Sequence, residues 1–158
     1  MITIQDRKYL QRCVELAADA FEKGNSPFGS ILVSKDGDVL FEDHNRDAKG
    51  DNTRHPEFEI AKWAVNNLTE EERKEAVVYT SGEHCSMCAS AHGLVGLGRI
   101  VYASSSKQLK EWQKDLGVES GLLKGLAVPE VLNGIQVDGP DEELAEEVKE
   151  LQYKYHER

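Results

Sequence analysis

Between residues 77 and 93 the chain reads VVYTSGEHCSMCASAHG. A β-branched and aromatic run gives way almost at once to Cys-x-x-Cys and then to a series of small residues. A short apolar segment leading into a helix-compatible one predicts a strand feeding a helix, with Cys85 and Cys88 at the helix start. Residues three apart share one helix face, so both sulfurs point the same way. Three chemistries use such a pair. A thioredoxin-like redox site needs one thiolate to attack and one to resolve. A structural zinc site needs four protein ligands, and a catalytic one needs three plus an open position.

The rest of the chain predicts what surrounds that junction. Residues 5–23 place Leu10, Val14, Ala17 and Phe21 at helical spacing before Gly24. FGSILVS and VLFED flank the turn KDGD and read as a β-hairpin. HNRDAKGDNTR is a polar loop without periodicity, long enough to carry function. HPEFEIAKWAVNNL resumes helical spacing through Phe58, Ala61, Trp63 and Val65, with Pro56 suited to the first turn. RIVYASS is a strand, KQLKEWQKDLG a helix through Leu109, Trp112 and Leu116, and PEVLNGIQVDG a weak strand. DEELAEEVKELQYKY closes the chain as a helix with Leu144, Val148, Leu151 and Tyr155 on one stripe. Strands alternating with helices late in the chain predict a three-layer α/β/α fold with parallel strand pairs, in one domain over residues 1–158.

Composition excludes several functions. With 39% hydrophobic and 30% charged residues the chain is globular. No apolar run approaches the ~20 residues of a membrane span, and the N-terminus has no signal core. Three cysteines do not make a disulfide scaffold, which places the protein in the cytoplasm. The formal charge is −10, and residues 138–150 carry seven carboxylates against one lysine. Phosphate backbones need clustered Lys and Arg, so nucleic acid is a poor partner.

No second Cys-x-x-Cys exists, and Cys13 lies on the apolar side of its helix as a small buried hydrophobe. A four-cysteine knuckle is therefore excluded, and the third soft ligand is sought among the histidines. His55 opens a helix with Glu57 two residues on, and two helix starts on one sheet can converge on a metal. Glu57 is then a carboxylate able to move a proton to and from water.

The pattern His-x-Glu with Cys-x-x-Cys resembles the cytidine and deoxycytidylate deaminase superfamily. SPFGSILV, Asn45, HPEFEIAKWA, YTSGEHCSMCASAH and GRIVYASSS resemble most closely its guanine deaminase-like branch of free-base deaminases, including bacterial enzymes acting on azacytosine or s-triazines. That resemblance implies a cytidine deaminase-like fold with a mixed five-stranded sheet whose last two strands are parallel. It implies one zinc ion on His55, Cys85 and Cys88, and Glu57 as the proton carrier in a hydrolytic release of ammonia from a free base. Asn45 and Phe28 would contact the ring, with Pro56 and His84 shaping the pocket. In that branch residues 138–158 would close an active site, their own or a partner's in a homodimer. Glu142 or Glu143 would then supply a second carboxylate and Tyr155 a ring contact.

Two departures touch the pocket. His84 and Ser86 stand where the family usually carries proline, and Pro56 has no N–H to offer a substrate oxygen. His92, four residues past Cys88, reads as a packing residue. Two other functions fit the ligands: a tRNA-adenosine deaminase, disfavoured by the acidic tail, and a non-catalytic zinc-stabilised module, disfavoured by Glu57. Guanine, cytosine, isocytosine, azacytosine and triazines are not told apart by any single position. Arg46 and Arg54 keep a phosphorylated substrate open.

Overall fold

Side-chain alternation along a single strand divides this molecule into its layers. In β1 (Gly29–Val33), Ile31 and Val33 face a core with Leu10, Cys13, Val14 and Leu144, while Leu32 faces another with Ile60, Ala61 and Ala64. A strand whose two faces are both apolar must be covered on both sides. The computed structural model describes residues 1–119 and 121–157; Arg158, at the end of the expected closing segment, lies outside them.

The elements follow in the order α1 (Ile4–Glu22), β1, β2 (Val39–His44), α2 (Pro56–Asn67), α3 (Glu70–Glu75), β3 (Val77–Gly82), α4 (Ser86–Leu94), β4 (Ile100–Ser104), α5 (Ser106–Asp115), α6 (Val128–Val131), β5 (Val137–Asp138) and α7 (Glu142–His156). The strands form one sheet in the order β2-β1-β3-β4-β5. β1 is antiparallel to both β2 and β3, whereas β3–β4 and β4–β5 are parallel. This is the mixed five-stranded sheet of the cytidine deaminase-like fold, with parallel pairs where helices connect the strands. Helices α1, α5 and α7 cover one face through Val14, Trp112 and Val148. Helix α2 packs on the other face, and α4 and α6 lie beside it. Among the described residues no helix is long and apolar enough to cross a membrane.

Most predicted elements lie where spacing places them, with three differences. Helix α2 turns Ile60, Ala61 and Ala64 inward, so Val65 is exposed and Trp63 stacks on Phe41 at 5.5 Å at the rim. Trp63 packs against the core as an aromatic of its kind would, whereas Val65, placed on the apolar spacing by the sequence, faces out because the helix is rotated with Glu57 inward. Helix α3 carries no buried residue and is held by a Thr69 capping box, which leaves no apolar period to read. The segment expected as a weak strand is the short α6 followed by the two-residue β5. Cys13 is fully buried, and burial pushes its thiol up.

Gly29 decides how closely α1 approaches the sheet. A Cβ there would collide with the Cys13 carbonyl and lie 2.7 Å from Ala17 N. The helix and strand touch backbone to backbone, which seats the start of β1, and the Phe28 turn before it, at the site end of the sheet.

Candidate active site

Two helix N-termini meet at this end of the sheet. His55 is the N-cap of α2 and Cys85 the N-cap of α4, and neither side chain makes a capping hydrogen bond. Both are therefore free to turn toward each other. Cys88, in the first turn of α4, completes the group: His55 Nδ1 lies 3.5 Å from Cys85 Sγ and 3.4 Å from Cys88 Sγ. All three ligand atoms fall within 4.8 Å of one another. Tetrahedral zinc, with bonds of ~2.3 Å to sulfur and ~2.0–2.1 Å to nitrogen, requires N···S edges of about 3.6 Å. The cluster fits that edge, and its donor set of one imidazole and two thiolates is one that zinc takes. The Cys88 thiol beside it and the His55 ring bring Cys85 down to about 4, against the opposing pull of burial. The same contact, with burial, pushes the Cys88 thiol up, so without a metal one proton is held between the two sulfurs.

Glu57 sits in the second helical position of α2, 6% exposed. Burial lifts its carboxyl from the ordinary 4.5 to about 7, opposed by His55 and by the Ser30 hydroxyl. Ser30 Oγ donates to Glu57 Oε1 at 2.7 Å, with Thr80 Oγ1 3.4 Å away and 2.8 Å from Ser30 Oγ. Ser30 shares its strand parity with Leu32, and Thr80 with Val78, so both hydroxyls face the layer that carries α2. The carboxylate is not one of the three clustered ligands. It stands beside them with a raised proton affinity, as a general acid–base does.

Residues 3–104 match the family model described as the cytidine and deoxycytidylate deaminase zinc-binding region. The chain belongs to that family. A probable cytosine deaminase of Schizosaccharomyces pombe is 32% identical over 107 residues, 66% of this chain and 64% of that protein. A tRNA-specific adenosine deaminase of Aquifex aeolicus is 30% identical over 101 residues, 63% of this chain and 66% of that protein. The chain thus spans about two-thirds of the length of these relatives. A solved guanine deaminase from Nitrosomonas europaea superposes with a TM-score of 0.70 at 19% identity, covering 100% of this chain and 87% of that one. That likeness is one of fold.

Around the deaminase-family metal cluster the remaining expected residues fall into two groups. Asn45 and Phe28 are brought together: the Asn45 N–H donates to the Phe28 carbonyl at 3.0 Å, and Asn45 is 2% exposed. Pro56 is buried as the first residue of α2. Tyr155, in the last turn of α7, reaches the same neighbourhood, its hydroxyl 3.3 Å from Ser26 Oγ. Glu142 and Glu143 lie at the other end of that helix, roughly 18 Å from Tyr155 at a rise of ~1.5 Å per residue. Glu143 pairs there with Arg7 at 3.1 Å. Helix α7 packs along α1 and β4 of its own chain.

His84 is fully buried, its ring edge-on to His92 at 5.3 Å, and among the described residues neither of its nitrogens has a hydrogen-bond partner. Burial, then the neighbouring ring, holds it well below the usual histidine range. Burial likewise lowers His92 to about 4, its Nε2 lying 2.7 Å from the Gly98 carbonyl. Both rings are packed as neutral groups behind the metal loop.

Four residues of the site escape a reading by motif. Ser30 and Thr80 hold Glu57; their one signal is a hydroxyl inside an otherwise apolar strand. Glu83 accepts from Ser106 N at 2.9 Å and Val128 N at 2.7 Å, capping α5 and α6 from the residue two before Cys85. Asp47 bonds Ser26 and Asn45. In sequence it is one acid in a loop full of them.

Proposed function

We propose that the chain is a zinc-dependent hydrolytic deaminase that releases ammonia from a free nucleobase or base-like heterocycle of guanine, cytosine, isocytosine, azacytosine or s-triazine type. The observation that carries this is Glu57, a buried carboxyl raised to about 7 beside three zinc-competent donors. A structural zinc module has no use for such a group.

Zinc on His55, Cys85 and Cys88 would supply Lewis-acid activation of water, lowering its pKa toward ~7. Glu57 takes the proton from the attacking water and returns it to the departing nitrogen, so that a ring C–NH2 and water become a ring carbonyl and ammonia. With Oε1 held by Ser30, Oε2 is the oxygen left to shuttle. Asn45 reads the ring edge and Phe28 lies against the ring, while Pro56 and the loop seated on His84 shape the wall. Tyr155 adds a contact at the rim in this reading, and Glu142 and Glu143 are left without a role.

Two observations favour a free base over a phosphorylated one. Arg46 and Arg54, the two arginines of the loop before His55, are already paired, with Asp43 at 2.9 Å and with Glu59 at 3.3 Å. The net charge of −10 disfavours a tRNA stem, which needs a basic surface. The family resemblance further implies a homodimer working in the cytoplasm.

The test is ammonia release by zinc-loaded protein from guanine, cytosine, isocytosine, 5-azacytosine, an amino-s-triazine, cytidine, a nucleotide and tRNA. Turnover of at least one free base, abolished by chelation and restored by zinc, is expected. Ammonia from none of them overturns the enzyme reading, and turnover of tRNA alone moves the chain to the adenosine deaminases.

A further inference from the structure

The polar loop between β2 and α2 holds a carboxylate that the proposed reaction does not use. Asp47 accepts from the Ser26 N–H at 2.9 Å, from Ser26 Oγ at 2.6 Å and from Asn45 Nδ2 at 3.2 Å. Ser26 Oγ is in turn 3.3 Å from the Tyr155 hydroxyl, so the last turn of α7 backs the same group. The next residue is tied down too, the Ala48 N–H donating to Asn25 Oδ1 at 2.9 Å. Asn45 itself is gripped at its backbone, its N–H on the Phe28 carbonyl at 3.0 Å and its carbonyl 2.8 Å from His44 Nδ1. The Arg46 N–H donates to the Arg54 carbonyl at 3.0 Å, which sets this loop beside His55.

A carboxylate offers acceptors only, so the side of the Asn45 amide turned toward Asp47 must be its NH2. A side-chain amide left to itself presents donor or acceptor with similar ease. Among the described residues no donor reaches the Asn45 Oδ1, which leaves that oxygen for a ligand. We propose that Asp47 is the positioning residue for Asn45: it fixes which way the amide faces, and so makes the site select a heterocycle whose edge carries an N–H donor. The inference rests on the deaminase reading and on contact between Asn45 and the substrate. It narrows that substrate to rings with a protonated nitrogen or a second amino group on the edge that meets Asn45.

The experiment compares zinc-loaded wild type, Asn45→Ala, Asp47→Ala, Asp47→Asn and the Asn45→Ala/Asp47→Ala double variant. Ammonia release is measured on the best free base of the panel and on its N-methylated analogue lacking the donor. The same bases are titrated calorimetrically, and zinc content and circular dichroism confirm each fold. Asp47→Ala is expected to raise KM about tenfold, the size of one charge-assisted hydrogen bond, with kcat within about threefold. Asp47→Asn keeps the shape but loses the charge, so it shifts KM the same way by less, and it serves where the alanine variant does not fold. The double variant is expected to be no worse than Asn45→Ala alone, because Asp47 acts through that amide. Wild type should discriminate against the methylated analogue more strongly than Asp47→Ala does.

An unchanged KM in both Asp47 variants, or effects that multiply in the double variant, overturns the proposal. Calorimetry separates it from the deaminase reading. Bases that bind with coupled losses but release no ammonia refute the reaction and support the positioning role. Binding without coupling refutes the role, and no binding at all refutes both.

Discussion

Glu57→Gln separates the catalytic and structural consequences of one buried carboxyl. Gln keeps the size of the side chain, and its Oε1 can still accept the Ser30 hydroxyl that lies 2.7 Å from the native oxygen. It cannot take a proton from water. A positioned acid–base contributes about 10²–10⁴ in rate, and Glu57 is asked to act on both sides of the reaction, so kcat should fall by about 10³ or more. Zinc content should be unchanged, because Glu57 is not among the clustered ligands.

The same change should stabilise the zinc-free protein. Lifting the carboxyl from 4.5 to about 7 means that holding it ionised inside the fold costs about 3 kcal/mol. A folded pKa above the unfolded one means the wild type has its full stability below about 4.5 and loses some as pH rises through about 7. Gln carries no such term. Allowing about 1 kcal/mol for an imperfectly paired amide, the variant should be about 2 kcal/mol more stable at pH 8, a rise in Tm of about 4–8 °C for a chain this size. At pH 4 the ionisation cost is gone and only the imperfectly paired amide remains, so the variant should be about 1 kcal/mol less stable than wild type. Calorimetry of chelator-treated protein at the two pH values reads the stability, and ammonia release with zinc restored reads the rate. A variant that keeps a tenth of the activity removes Glu57 from its role. One no more stable than wild type at pH 8 shows that burial does not strain the carboxyl.

Two further substitutions test the fold that carries the site. Arg99 holds Asp6 with Nη1 at 3.1 Å and Nη2 at 3.0 Å, and Asp138 with Nε at 2.9 Å. Arg99→Met removes the guanidinium from both carboxylates, leaving Asp6 buried without its paired cation, and should cost about 3 kcal/mol at pH 7, seen as a lower urea midpoint. Burial opposes ionisation of Asp6, but Arg99, the Thr3 N–H and the Tyr79 hydroxyl outweigh it and hold the carboxyl well below the usual range. The stability this pair contributes is therefore present in full above the ordinary carboxylate pKa of ~4 and is lost as pH falls toward the depressed pKa of the folded state. The gap between wild type and variant should narrow below about pH 4 and close only well below about pH 3. A gap that stays constant with pH would count against the pair. Gly29→Ala forces a methyl into the backbone of α1, against the Cys13 carbonyl and 2.7 Å from Ala17 N. It should lower stability by about 3 kcal/mol or more, and a neutral result in thermal melts would show that α1 can move away.

The legible part of this protein was what near neighbours encode. Alternation within FGSILVS and the 3.6-residue period of residues 5–23 depend on side chains a few positions apart, and those elements lie where the spacing puts them. The three residues that could hold zinc are singled out by type, since few side chains offer nitrogen or sulfur to the metal and fewer stand at a helix start. The spacing places Trp63 against the core, where it packs at the rim, but it does not fix the rotation of α2 that leaves Val65 exposed, because residue type is a weak guide when a charged group faces inward. Helix α3 has no apolar face and α6 has four residues, so neither carries a period.

Residue type and spacing alone identify an α/β chain with a His, Cys, Cys donor set of the deaminase pattern, because donor identity and strand–helix alternation are local chemistry. What those groups can do follows from how the chain packs. Ser30 lies 27 residues from Glu57, Asp47 lies 21 from Ser26, and Tyr155 lies 129 from Ser26. No short-range pattern announces pairings over such separations, since strand order and helix rotation make them. The same geometry leaves Glu142 and Glu143 at the far end of a helix whose last turn reaches the site. Burial, finally, is a property of the packed chain alone, and it is burial that turns Glu57 from an ordinary surface acid into a group able to exchange a proton near neutral pH.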